Sequence, residues 1–299
     1  MINKIMSLFP SLKPKVQEQG YKPPLAIRAL RAALETIVNT LGLNCNNELM
    51  VELLKILDPS ITVKLPGGQS IIFTTGHTRL LWRARTLLTE ETSTIEWIDT
   101  FDSADVFYDI GANVGSYTLY AAKTKGVRVF AFEPEINNFQ LLYSNIYKNE
   151  LFDLCVPLSI ACHDSTAMQT FYVRDFSKGD ATHSVGRVAK YVQSAPRMFE
   201  VETLCMKLDD IIETFKLPPP TKIKIDVDTN ELYVIRGLIK TLPVIKEICV
   251  ELDMDFDEHR ELVKILQDAG FEIIREHQIY QRRGITLHNV FFRKTLQKT

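Results

Sequence analysis

The residues best placed to do chemistry lie at Asp109-Ile110-Gly111-Ala112-Asn113-Val114-Gly115, where an apolar run that reads as a strand passes into a helical pattern. Glycines at such a junction let the backbone turn sharply and let a ligand approach the chain closely. The next apolar run ends in Phe132-Glu133-Pro134, which puts Glu133 twenty-two positions after Gly111. An acid there can accept hydrogen bonds from both ribose hydroxyls of a nucleoside. Turn and acid together read as a nucleoside-cofactor site. The dinucleotide fingerprint G-x-G-x-x-G uses its middle glycine to bring backbone amides onto a pyrophosphate, and Asn113 stands at that place here. The Gly-Lys-Ser/Thr ending of a phosphate-binding loop is also missing. S-adenosylmethionine, which carries adenosine and no phosphate, suits such a turn. A nicotinamide cofactor on an oxidoreductase, or a turn that is only structural, stays open at this point.

Methyl transfer is an in-line displacement, so holding the acceptor in a near-attack geometry supplies most of the rate. An alcohol acceptor also loses a proton, and a base within reach adds about 10²–10⁴. Asp226, at the end of the fourth expected strand, is the candidate for that place. Glu251 closes the fifth expected strand, followed by Asp253, Asp255 and Asp257. Oxygen-rich acids at neighbouring strand ends could hold a magnesium ion, but no tight ligand motif supports one and solvated loop acids are the better reading. Asp228 and Glu231 form a D-x-x-E before an apolar helical run, the pattern of a capping box. His183 and, less so, His163 are candidate bases near neutral pH. Asp164, beside His163 after the third expected strand, is a candidate neighbour of the adenine.

These groups need strands and helices to hold them. Asp105–Ile110, Val127–Phe132, Asp153–Ile160, Lys222–Val227 and Glu247–Leu252 read as strands, and Ser116–Lys123, Ile136–Lys148, Asn230–Thr241 and Glu258–Ala269 as helices. That alternation is the signature of βαβ units on a parallel sheet. Phe271–Glu276 and Leu287–Phe292 have no long helix between them, so the sheet should finish in an antiparallel hairpin. Before residue 101 the texture differs, and the chain divides into a region 1–100 and a region 101–299. Helices are expected at Leu25–Leu41, after Pro23-Pro24, and at Glu48–Leu57, then a hairpin around Pro66-Gly67-Gly68. The weakly periodic stretch Arg174–Met198 is a candidate acceptor lid, whose Arg187, Lys190 and Arg197 either pair with an anionic acceptor or form a solvated face.

With 299 residues, 45% hydrophobic and 24% charged, the chain can bury a sizeable core. Its net charge of −2 gives no basic excess for holding a nucleic acid; the local basic bias between Lys4 and Arg31 reads as a solvated helix face. Five scattered cysteines without a C-x-x-C pair fit a reducing cytoplasm, and no apolar run is long enough for a membrane span. The expected partner is a small acceptor molecule, with room for a homo-oligomer.

The chain resembles the FkbM family of S-adenosylmethionine-dependent methyltransferases from about Thr89 to Phe292. Four segments carry the likeness: Glu96-Trp97-Ile98-Asp99 leading into Val106–Gly115; Ala131-Phe132-Glu133-Pro134 with Asn138; Leu208-Asp209-Asp210; and Ile223-Lys224-Ile225-Asp226-Val227. The resemblance implies a Rossmann-like, seven-stranded methyltransferase sheet with helices on both faces and O-methylation of a hydroxyl on a sugar, glycan or other metabolite. It puts Asp109, Gly111, Asn113, Gly115, Glu133 and Asn138 at cofactor positions. One departure stands out: the family continues its Ile-Asp-Val with Glu-Gly-Ala-Glu, and this chain has Asp228-Thr229-Asn230-Glu231. That change bears on the acceptor side and leaves room for a catalytically silent cofactor-binding protein.

Overall fold

A computed structural model describes residues 59–181, 183–186, 198–282 and 285–295, with the isolated helical positions Ala29, Ala32, Ala33, Thr36 and Thr40. Those five agree with the helix expected over Leu25–Leu41. The expected helix Glu48–Leu57, Cys45, Arg187, Lys190 and Arg197 lie outside the described residues.

The hairpin forms as expected, β1 (Ser60–Lys64) pairing antiparallel with β2 (Ser70–Thr74). Helices α1 (Thr78–Thr86) and α2 (Thr92–Ile98) follow. Then come β3 (Val106–Ile110), α3 (Ser116–Lys125), β4 (Arg128–Phe132), α4 (Ile136–Lys148) and β5 (Cys155–Leu158). A second sheet interrupts the alternation with β6 (Ala161–Cys162), β7 (Ala167–Val173), β8 (Ser184–Val185) and β9 (Phe199–Met206), in the order β6-β9-β7-β8. The chain closes with α5 (Leu208–Phe215), β10 (Lys222–Ile225), α6 (Glu231–Arg236), β11 (Glu247–Leu252), α7 (Asp257–Asp268), β12 (Phe271–Arg282) and β13 (Ile285–Lys294).

The main sheet runs β12-β13-β11-β10-β3-β4-β5. Its β3, β4, β5, β10 and β11 are mutually parallel, and β13 pairs antiparallel with both β11 and β12. Strand order reverses at β3, flanked by β4 on one side and β10 on the other, the place where open α/β sheets leave a crevice at their carboxyl ends. Each face is covered by its own apolar layer. Tyr108, Ile110, Phe132, Ile223, Ile225 and Val250 pack under α5, α6 and α7. On the other face Phe107, Val129, Ala131, Cys249 and Phe291 pack under α3, α4, α2 and the hairpin. Burial on both faces explains why the parallel strands read as near-continuous apolar runs.

Lys222 and Lys224 break that rule. Lys222 pairs with Glu247 on the next strand at 2.9 Å, and Glu247 also accepts hydrogen bonds from Trp97 Nε1 (2.7 Å) and Arg293 Nε (2.8 Å). Burial alone would raise the Glu247 carboxyl, but these donors hold it below its ordinary range. Trp97 also meets Phe101, Phe107 and Phe291 ring to ring. Through it α2 is fixed to the sheet, which sets the position of Glu91 at its N-terminus.

Candidate functional site

The glycine turn is shaped by a close approach of two backbones. Asp226 N donates to Ile110 O at 3.0 Å, so the end of β10 stays beside the turn. Gly111 has φ +82°, and a Cβ there would lie 1.9 Å from the Asp226 carbonyl oxygen. Only glycine allows both. Asn113 occupies the left-handed region at φ +51°, which asparagine tolerates better than other non-glycine residues, so its presence in place of the middle glycine does not break the bend. Gly115 caps α3 and packs against Leu142.

Most of the turn's amides point back into the protein. Gly111 N and Ala112 N both donate to Phe132 O at 2.9 Å, Gly115 N donates to Ala112 O at 2.8 Å, and Asn113 N donates to Glu133 Oε2 at 2.8 Å. Glu133 Oε1 accepts from Glu135 N at 2.8 Å, and Glu133 is 5% exposed. Burial raises its carboxyl to about 8, against the pull of the two amides. The buried side-chain atoms left over at the turn are acceptors. Asp109, 1% exposed, takes Thr118 Oγ1 on Oδ2 at 2.6 Å, while its Oδ1 and Asn113 Oδ1 are buried without a hydrogen bond among the described residues.

Across the crevice lies the second group. Lys224 and Asp109 are direct partners across the β10–β3 ladder, and Lys224 Nζ donates to Asp226 Oδ2 at 2.7 Å. Burial disfavours the Lys224 charge, but Asp226, Glu91 and Asp109 outweigh it and raise the ammonium above its ordinary value. Its Nζ also sits 5.0 Å from the centre of the Tyr117 ring. Glu251 lies at the adjacent strand end. Burial and then the like charges of Asp226, Glu91 and Asp228 push its carboxyl well above the ordinary range. Glu91 is held by Asn289 Nδ2 (2.9 Å) and Thr94 Oγ1 (3.3 Å) on one oxygen. Sequence reasoning assigns no role to Lys224, Glu91 or Tyr117; a lysine inside an otherwise apolar parallel strand is the signal that marks the first.

Asp226 and Glu251 thus stand together, as do Asp109, Gly111, Asn113, Gly115 and Glu133. Of the remaining three candidates, Asn138 joins the turn, because its Nδ2 and that of Asn113 both donate to Asp180 O. Asn138 is buried, with Oδ1 accepting Gly179 N at 2.8 Å and Nδ2 donating to Asp180 O at 3.0 Å. His183 is buried beside β8, where Nδ1 accepts Arg174 N at 3.3 Å and its charged neighbours are Asp180, Glu135, Arg174 and Arg79. Burial lowers its imidazole pKa. Asp164 pairs with His163 Nδ1 at 2.9 Å, and the His163 ring stacks on Tyr233 at 4.9 Å. Among the described residues, no group of three or more His, Cys, Asp or Glu side chains is arranged to hold a metal ion, and no helix is long and apolar enough to cross a membrane.

The capping-box expectation needs correction. Helix α6 starts at Glu231 with Asn230 as its N-cap, and no side chain caps it. Asp228 and Thr229 instead take positive φ, +53° and +82°, and a β-branched residue in that region is strained. Glu231 holds the bend: Oε1 accepts Val227 N (3.3 Å) and Thr229 N (3.2 Å), and Oε2 meets His259 Nε2 at 3.1 Å.

The sequence model of the FkbM methyltransferase domain matches residues 109–273, more than half of the chain. The hexuronic acid methyltransferase AglP of Haloferax volcanii is 26% identical over 203 residues, covering 68% of this chain and 78% of AglP. The 31-O-demethyl-FK506 methyltransferase FkbM of Streptomyces tacrolimicus is 25% identical over 256 residues, covering 78% of this chain and 97% of the relative. A crystal structure of methyltransferase FkbM from Methylobacillus flagellatus superposes with a TM-score of 0.42 at 15% identity, covering 64% of this chain and 44% of that one.

Proposed function

Because the chain belongs to the FkbM methyltransferase family, we propose that it moves the methyl group of S-adenosylmethionine to a hydroxyl of a sugar, glycan or other small metabolite. The observation that carries the choice of cofactor is the polarity of the turn. A diphosphate needs free amide donors, and the amides of Gly111, Ala112, Asn113 and Gly115 are taken up within the protein. Left without a hydrogen bond at the turn, among the described residues, are the buried Oδ1 atoms of Asp109 and of Asn113, and Asn113 N is bonded to Glu133. Acceptors and carboxylates of this kind fit ribose hydroxyls and a cationic, phosphate-free cofactor, and they oppose a nicotinamide dinucleotide.

S-adenosylmethionine, when bound, supplies a methyl group on a positively charged sulfur. Glu133 would take the ribose hydroxyls, and Asp109 and Asn113 would accept from the cofactor's donors. Lys224 holds Asp226 by Oδ2, and the Asp226 side chain is partly exposed, so its other oxygen would be the one to take the proton of an acceptor hydroxyl. Glu251, whose carboxyl burial and the neighbouring acids raise well above the ordinary range, would stand beside Asp226 on the acceptor side. Asp164 beside the adenine and His183 as a base belong to the same proposal, and neither has a contact with Asp226 or Glu251 that would strengthen it.

The test is release of S-adenosylhomocysteine with a panel of hydroxylated acceptors that includes hexoses and hexuronic acids. Asp226→Asn should keep cofactor affinity and lower turnover by about 10²–10⁴, the range for loss of a positioned base; wild-type turnover in that variant would remove Asp226 from the role. A second reading, a catalytically silent cofactor binder, is favoured by the strained Thr229 at the family's glycine position. It gains if S-adenosylhomocysteine binds tightly while no acceptor in the panel is methylated.

A further inference from the structure

Residues 175–180 leave β7 and cross above the turn of Asn113 as a short strap. Asp175 sets its bend by accepting Ser177 N (3.0 Å) and Ser177 Oγ (2.8 Å), and Asp180 N donates to Ser177 O at 3.1 Å. Asp180 is then gripped from four elements. Its carboxylate pairs with Arg79 Nη1 of α1 at 2.5 Å and with the guanidinium of Arg174 at the end of β7. Its carbonyl accepts Asn113 Nδ2 from the glycine turn (2.8 Å) and Asn138 Nδ2 from α4 (3.0 Å). Gly179 is fixed as well: Arg83 Nε donates to its carbonyl at 3.1 Å, and a Cβ on it would come within 2.6 Å of Leu80.

The two asparagines that the resemblance assigns to the cofactor therefore have their amide nitrogens on the strap. Asn113 links Asp180 on one side to Glu133 on the other. The Asp180 side chain is 1% exposed, so its charge is matched by the two arginines rather than by water, and losing it would leave those cations facing each other.

We propose that Asp180 latches this strap across the cofactor crevice, so that the adenosyl cofactor enters and leaves when Asp180 parts from Arg79 and Arg174. This inference rests on the reading that an adenosyl cofactor lies over the turn. Arg79 belongs to α1, which precedes the family-matched span 109–273. The N-terminal segment thus governs access to a site that the family domain builds.

The experiment measures association and dissociation of S-adenosylhomocysteine by surface plasmon resonance on the full chain, for wild type, Asp180→Asn and Arg79→Gln. Asp180→Asn keeps side-chain shape, Arg79→Gln shortens the side chain, and each removes one charge of the latch. Both rates should rise in each variant, dissociation by about tenfold, while the equilibrium constant moves less than either rate; that pattern marks an opened gate rather than a lost contact. Wild-type rates in both variants overturn the latch, as does a fall in affinity carried by dissociation alone. Absence of any S-adenosylhomocysteine binding by wild type overturns the cofactor reading itself, a result separable from the others.

Discussion

Replacing Gly111 by alanine sets a methyl group 1.9 Å from the Asp226 carbonyl oxygen and 2.9 Å from its carbon, at a φ of +82°. Two costs add. An L-residue in the left-handed region loses about 1–2 kcal/mol, and overpacking against a backbone that cannot rotate away adds about 1–3 kcal/mol. Gly126 separates them, because it ends α3 at φ +66° with nothing within 4 Å of its notional Cβ. Gly126→Ala should therefore cost about 1–2 kcal/mol and Gly111→Ala about 2–5 kcal/mol. Urea unfolding of both variants reads the difference, and at about 2–4 °C per kcal/mol it also appears in thermal melting. Since the clash is with Asp226, Gly111→Ala should disturb the acceptor carboxylate together with the cofactor turn. Equal destabilisation by the two alanines would refute the close approach of the two strand ends and, with it, the coupling of both halves of the site.

Four further outcomes follow from the buried charges. Glu133 titrates near 4.5 when unfolded and at about 8 when folded, so between those values the native protein keeps a proton that the unfolded chain gives up. Relative to Glu133→Gln, wild type should lose stability as pH rises from about 4.5, by on the order of 1 kcal/mol per unit, and level off above about 8; parallel profiles would contradict this. Calorimetry near pH 7 in buffers of different ionisation enthalpy should show a proton released when S-adenosylhomocysteine binds, and none from Glu133→Gln. Glu231→Ala removes the acceptor of two amides and strands His259, costing about 3–5 kcal/mol in denaturant unfolding. Burial works against the His259 charge, but Glu231 raises its pKa, so this pair's stabilisation is full below the unfolded value of 6.5 and fades as pH rises through the native one; a wild-type unfolding profile matching His259→Gln would count against it.

Much of this arrangement was legible in the chain because it depends on local pattern. The glycine turn, the acid after the second parallel strand and the helices around them are set by residues within a few positions of one another. Strand Glu247–Leu252 and helix Ile136–Lys148 fall where the periodicity puts them. The small second sheet was hidden because β6 pairs with β9, more than forty residues on, and no turn signal announces such a partner. Helix α2, Thr-Ser-Thr-Ile-Glu-Trp-Ile, is rich in poor helix formers, and it is helical because Ile95, Trp97 and Ile98 bury against the sheet. At the site, a lysine in a strand could be seen but not its partner, and the D-x-x-E at residues 228–231 looked like a cap because the pattern does not reveal that Asp228 and Thr229 have positive φ. The hydrogen bonds of Asn138 go to residues 179 and 180, partners that only the folded chain brings near.

An adenosyl group lying over the Gly111 turn, with its ribose on Glu133, is tested most directly by isothermal titration of S-adenosylhomocysteine and of NADH into wild type and Glu133→Ala. Wild type should bind S-adenosylhomocysteine and give no heat with NADH, and the alanine variant should bind it about 1–3 kcal/mol more weakly, the range for hydrogen bonds to a charged group. Undiminished affinity in a folded Glu133→Ala, or binding of NADH by wild type, would contradict it.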